Sequence, residues 1–129
     1  MVSLFIFILT ISASVAFSAP QEQLYPIDRI IDAQITAKNE LKLYTSVQYP
    51  NGCFKPKLST GKLESSYNSI ELKHSVQLID GNCTQSIINQ NPVIKLPKPE
   101  SGTYQIIDQF SNASLGLLKI KDNDLEISF

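Results

Sequence analysis

Apolar and polar residues alternate with a period of two along most of this chain, and this pattern constrains the fold more than any other feature. The clearest example is SIELKHSVQLI, residues 69–79. One side of that segment carries Ile70, Leu72, His74, Val76 and Leu78. The other side carries charged and polar side chains. Because successive side chains of a strand point to opposite faces, the alternation predicts a half-buried β-strand.

Similar alternation recurs in several other segments, and none of them has helical spacing. They are residues 27–37, 40–49, 102–110, 114–121 and 125–129, with weaker patterns near Phe54 and over 86–97. Pro92 and Pro97 mark the last of these as an edge strand. Seven or eight short strands without a helix predict an all-β fold, an antiparallel two-sheet sandwich. A closed barrel stays open as the alternative, because strand number alone does not separate the two.

The N-terminus has the pattern of an export signal. MVSLFIFILTISASVAFSA contains an apolar run followed by small residues, and Ala16-Phe17-Ser18 fits signal-peptidase cleavage before Ala19. A retained membrane anchor needs about 20 apolar residues, whereas this run ends after about 11. We therefore expect a signal peptide over 1–18, a flexible lead over 19–27 and one β-sandwich domain over 28–129. The mature protein is expected to be secreted or periplasmic and free of the membrane.

The chain has two cysteines, Cys53 and Cys83, and export favours a disulfide between them. The alternatives are a reactive thiol, which would need His74 as its base, and a zinc site. Zinc takes four ligands, and these two cysteines with His74 supply three. Closing a loop of about 31 residues should stabilise the fold by about 3 to 4 kcal/mol on the chain-entropy model.

The charge balance argues against two classes of partner. Eleven basic and twelve acidic residues give a formal net charge of -1. Nucleic acids and anionic membranes attract strongly basic surfaces, so neither is expected to bind this chain.

Catalytic and metal-binding patterns are weak. His74 is the single histidine and lies on the apolar side of its strand, which predicts a buried, hydrogen-bonded imidazole. No G-x-S-x-G motif accompanies it. Asp122, Asp124 and Glu126 have the spacing that begins an EF-hand loop, but the required glycine and distal glutamate are missing, which favours a hairpin turn. We expect no enzyme activity, no metal and no cofactor.

Asp108 shares a predicted inward face with Tyr104 and Ile106, which is unusual for a carboxylate. The pattern predicts that the strand ends or bulges there. A second interpretation makes Asp108 a polar partner of Arg29 or His74.

The stretch LPKPESGTYQI, Leu96 to Ile106, resembles the entry to the penultimate strand of immunoglobulin-like domains, whose pattern is D-x-[GA]-x-Y. Glu100, Gly102 and Tyr104 fill those three places. The resemblance implies an immunoglobulin-like module of an exported bacterial protein, with a structural corner at Tyr104 and Gly102. The chain departs from antibody-type domains, since it has no tryptophan and Cys83 precedes the tyrosine.

The leading functional hypothesis is an exported, non-catalytic interaction or structural module with a protein partner. The alternative is a small secreted inhibitor or ligand-binding protein that acts through the disulfide-held loops, residues 50–57 and 80–84. In either case the candidate contact residues are Phe54, Lys55 and Lys57, because rigid loops with an aromatic anchor bind well. A competing interpretation places Phe54 in the core.

Overall fold

The computed structural model describes residues 22–129, so the predicted signal peptide lies outside the described residues. The strands are β1 (Glu22–Tyr25), β2 (Arg29–Ile35), β3 (Glu40–Tyr49), β4 (Phe54–Glu64), β5 (Ser69–Leu78), β6 (Ile88–Gln90), β7 (Val93–Pro97), β8 (Gly102–Asp108), β9 (Ser114–Lys121) and β10 (Asp124–Ser128). A short 3-10 helix, Ser65–Tyr67, joins β4 to β5. Within residues 22–129, no helix is long and apolar enough to cross a membrane.

Two sheets pack face to face, which confirms the predicted all-β sandwich. In the larger sheet, β1 and β8 pair with different halves of one edge of β5, and β9 and β10 follow β8. Strand β4 pairs along the other edge of β5. In the smaller sheet, β3 pairs with β2 along one edge and with β6 and β7 along the other. Strand β7 pairs with β3 alone, so the prediction of an edge strand between Pro92 and Pro97 is confirmed.

The alternating residues of the sequence form the core between the sheets. Its buried apolar side chains are Ile27, Ile30, Ala33, Leu41, Leu43, Val47, Tyr49, Ile70, Leu72, Val76, Ile94, Leu96, Tyr104, Ile106, Leu118 and Ile120. Burying each large side chain of this kind stabilises the fold by roughly 1.5 to 3 kcal/mol. The pattern in residues 70–78 is confirmed except at two positions: Leu78 is 40% exposed where β5 ends, and Ser75, on the polar side, is 2% exposed.

Three details of the predicted fold are wrong. The flexible lead over 19–27 contains β1, which pairs with Gln77 to His74 of β5. Ten strands form in the described part of the chain instead of seven or eight, because β1 and β6 are only four and three residues long. The pair β5–β8 is parallel, whereas an antiparallel sandwich was predicted. Alternation predicts which face of a strand is buried, but it does not predict whether the neighbouring strand runs parallel or antiparallel to it.

The sandwich closes on one side where β4 approaches β7. Gly61 of β4 makes this approach possible, since a Cβ atom there would lie 3.0 Å from Ile94 and 3.3 Å from both Leu72 and Leu96. The absence of a side chain at Gly61 therefore lets the edges of the two sheets meet.

Candidate functional site

The disulfide joins Cys53 to Cys83, as the sequence predicts, with the two Cα atoms 5.2 Å apart. Two backbone hydrogen bonds reinforce this connection. The Gly52 amide donates to the Thr84 carbonyl, and the Ile79 amide donates to the Cys53 carbonyl, each at 2.8 Å. A disulfide is typical of proteins that fold in an oxidising compartment, which agrees with a location outside the cytosol.

The predicted contact residues lie in a strand and not in a loop. Phe54, Lys55 and Lys57 belong to the first half of β4. Phe54 is half-buried and packs on the core, so the interpretation of Phe54 as a core residue holds for one side of its ring. Lys55 and Lys57 are exposed.

Phe54 is part of an aromatic cluster at one end of the sandwich. Its ring stacks on Tyr49 at 5.8 Å between centroids and meets the edge of Tyr25 at 5.4 Å. Tyr25 in turn lies 5.0 Å from Tyr49, edge to face, and its hydroxyl donates to the Gln48 carbonyl at 2.8 Å. Pairs in these arrangements stabilise a site beyond the area that they bury.

An open groove of about 540 Å³ runs over this cluster, and we call it the aromatic groove. It is lined by Gln23, Leu24, Tyr25, Pro26, Pro50, Phe54 and Phe110. A second depression beside it shares Tyr25 and Pro50 and adds Ile87. Phe110 in the groove is 56% exposed and Ile87 in the neighbouring depression is 62% exposed, so the two together present apolar surface to solvent.

The groove exists because two strands end against the same edge of β5. Strand β8 pairs with residues 69–72 of β5, and β1 pairs with residues 74–77. The turn after β8 is fixed by the Gln109 amide, which donates to the Leu72 carbonyl at 2.8 Å. This turn carries Phe110 toward the end of β1. The predicted irregularity at Asp108 is confirmed, since β8 bulges between Ile106 and Ile107 and ends at Asp108.

His74 lies beneath the aromatic cluster and is 1% exposed, so the sequence correctly placed it in the core. Its Nε2 atom is 2.6 Å from the Tyr49 hydroxyl, and its Nδ1 atom is 2.6 Å from Oγ of Ser59. Burial raises the pKa of Tyr49 to about 12, so the phenol keeps its proton. Nε2 is the one hydrogen-bond partner of this buried hydroxyl among the described residues, so we assign the phenol as the donor and Nε2 as the acceptor. The imidazole proton then lies on Nδ1 and is donated to Ser59. No local pattern indicates these partners, which are 25 and 15 residues away along the chain.

Asp108 is fully buried but bonds neither Arg29 nor His74. Its Oδ2 atom accepts hydrogen bonds from the Ser111 amide at 3.1 Å and the Ser111 hydroxyl at 2.7 Å. Its Oδ1 atom has no hydrogen-bond partner in the described structure. Burial lowers the pKa of His74, and the negative charge of Asp108 partly opposes this effect. The interpretation of Asp108 as a partner of Arg29 or of His74 is therefore wrong as regards direct hydrogen bonds.

Tyr104 has the geometry of the predicted corner. Its hydroxyl donates to the Glu100 carbonyl at 2.7 Å, and Gly102 lies against its ring. Tyr104 lies in the first half of β8, where it pairs with Leu118 of β9. Neither Tyr104 nor Gly102 lines the aromatic groove.

Acidic residues near the C-terminus form a turn. Asp122 takes the left-handed conformation, with φ of 55°, between β9 and β10. Within the described range no group of three or more histidine, cysteine, aspartate or glutamate side chains is arranged to hold a metal ion. No family model, curated protein or solved structure matches this chain.

Proposed function

We propose that this chain is an exported, non-catalytic interaction module that binds a protein partner through the aromatic groove. The observation that carries the proposal is the exposure of Phe110 and Ile87 beside a packed aromatic cluster. Exposed apolar surface of this kind marks interaction sites, and aromatic side chains contribute much of the binding energy at such sites.

The rigidity of the groove supports binding. The disulfide and the bonds of Gly52 and Ile79 fix the chain beside Phe54, and Pro26 and Pro50 restrict the backbone on the other walls. A surface that is already ordered loses little conformational entropy when a partner docks.

The chemistry of the partner follows from the groove and its neighbours. An apolar side chain would fill the groove, and the exposed Lys55 and Lys57 on the strand of Phe54 favour acidic residues beside it. A small secreted ligand-binding protein is the alternative. The groove is wide open, whereas small ligands are usually enclosed by their sites, so its shape favours a protein surface.

The buried position of His74 supports a non-catalytic role. Both ring nitrogens are engaged and the ring is 1% exposed, so the imidazole does not face a substrate. The Tyr104 corner supports the further proposal that the sandwich is immunoglobulin-like. The N-terminal pattern over 1–18 and the disulfide support export.

The proposal is tested by capturing the partner from the native exported fraction with the wild-type protein and then measuring its affinity for variants. Phe110→Ser removes an exposed wall of the groove and should abolish capture. Lys55→Glu should weaken binding without changing stability. Tyr67→Ser is the matched control, because Tyr67 is an 82% exposed aromatic outside the groove lining. Equal affinity for all three variants would refute the groove as the contact surface.

A further inference from the structure

His74 connects three strands inside the sandwich. Strand β5 carries the imidazole, β3 provides Tyr49 and the edge strand β4 provides Ser59. His74 is also the only histidine of the chain. It is therefore the one side chain whose ordinary pKa lies between pH 5 and 8.

The groups that face His74 determine what a proton would do there. Asp108 of β8 is buried and acts on the ring through its charge. Tyr25 of β1 is its cross-strand neighbour and Tyr49 of β3 is its hydrogen-bond partner, and both are neutral phenols. Strands β2 and β7 add apolar side chains to the core, and Lys73 on β5 is exposed.

Protonation would reverse one hydrogen bond and place a positive charge in the core. A protonated imidazole donates from both nitrogens, so Nε2 no longer accepts the proton of Tyr49, while Nδ1 still donates to Ser59. The nearest buried carboxylate, Asp108, is not hydrogen-bonded to the ring. A buried charge without a bonded carboxylate is costly, and entry of water is the simplest relief.

Strand β4 offers a route for that water. It pairs with β5 alone, bulges between Pro56 and Leu58, and Pro56 has no amide hydrogen to donate. Ser59 lies just after this bulge and is half-buried. Within β4 the side-chain bond to His74 therefore secures a locally weakened part of the ladder.

We propose that His74 is a proton-sensitive latch. Residues 54–60 of β4 stay packed over the neutral ring, and protonation favours the opening of this segment, because water solvates the charged ring better than the closed core does. Phe54 lies on this segment, so its opening would also loosen one wall of the aromatic groove.

The direction of the pH dependence follows from burial. The folded state holds the pKa of His74 below its ordinary value of 6.5, so the unfolded chain binds more protons in acid. The stability that neutral His74 provides is fully present above pH 6.5 and is lost as the pH falls from 6.5 to its lowered pKa. The equilibrium constant for opening should rise by up to about tenfold per pH unit in that window.

Two measurements on the wild-type protein test the latch. The single histidine allows an unambiguous ring titration by NMR, which should give a pKa below 6.5. Between pH 7.5 and pH 5.0, amide-exchange protection factors should fall for residues 57–60 of β4 and stay nearly constant in β9. A pKa of 6.5 or above, or a loss of protection spread equally over β4 and β9, would overturn the proposal.

His74→Gln provides the control. Glutamine can accept from Tyr49 and donate to Ser59, but it does not titrate. Protection of β4 in this variant should be the same at both pH values, and an acid-induced loss equal to that of the wild type would overturn the latch. If the variant does not fold, the two wild-type measurements still decide the question.

Discussion

The Tyr49 hydroxyl and Nε2 of His74 lie 2.6 Å apart in the interior of the sandwich, and both residues are at most 1% exposed. Removing the hydroxyl would leave a buried nitrogen without its donor. Tyr49→Phe should therefore lower the free energy of unfolding by about 1 to 3 kcal/mol, measured by denaturant titration at pH 7.5.

Tyr25→Phe is the matched control for this change. The Tyr25 hydroxyl bonds the Gln48 carbonyl in an exposed position, where water can replace it. Its loss should cost clearly less than the loss at Tyr49. Equal losses of unfolding free energy would show that the buried Tyr49–His74 hydrogen bond contributes no more than the exposed Tyr25–Gln48 bond.

Tyr104→Phe tests the corner. The Tyr104 hydroxyl bonds the Glu100 carbonyl at 2.7 Å from a side chain that is 7% exposed. The variant should lose about 1 to 3 kcal/mol of unfolding free energy, because that carbonyl loses its donor. Tyr67→Phe, at an 82% exposed position, should leave the denaturation midpoint unchanged. An unchanged midpoint and slope for Tyr104→Phe would rule out a structural role for the hydroxyl.

Replacement of both cysteines by serine tests how much the disulfide stabilises the fold. The bridge spans a sequence separation of 30 residues. The double variant should be less stable by about 3 to 4 kcal/mol on the chain-entropy model. Thiol titration of the unmodified native protein should find no free thiol, and two reactive thiols would contradict the account.

Gly61→Val tests the close approach of β4 to β7. The added side chain would meet Ile94, Leu72 and Leu96 within 3.3 Å, so overpacking should cost about 1 to 3 kcal/mol. Thr60→Val places the same side chain at the adjacent exposed position and should change stability little. A Gly61→Val protein as stable as the Thr60→Val control would show that the two edges are not in tight contact.

The sequence predicts much of this fold because alternation is a local signal. The inward face of β5 and the burial of His74 both follow from residues 69–79, and the pairing of Cys53 with Cys83 follows from counting. Strand β1 is different, because EQLY has too few residues to show a period and is stabilised by its neighbour β5.

Much less of the candidate site can be predicted from local sequence patterns. The sequence places Phe110 at the end of the predicted strand over residues 102–110. In the structure, the bulge at Ile106 and the turn after Asp108 move it to the groove. Tyr25 and Pro50 come from segments that meet only when β1 lies beside β5. The one local signal is Asp108, two residues before Phe110. A carboxylate on the predicted inward face indicates that the strand ends or bulges at that point.

Side-chain oxidative footprinting of the protein, free and bound to its captured partner, tests the central claim most directly. Phe110 and Ile87 are more than half exposed in the free protein, so they should be oxidised readily there. In the complex both should be protected, while the exposed Tyr67 and Phe129 should keep their reactivity. Unchanged oxidation of Phe110 and Ile87, with protection appearing at Tyr67 or Phe129, would contradict binding through the aromatic groove.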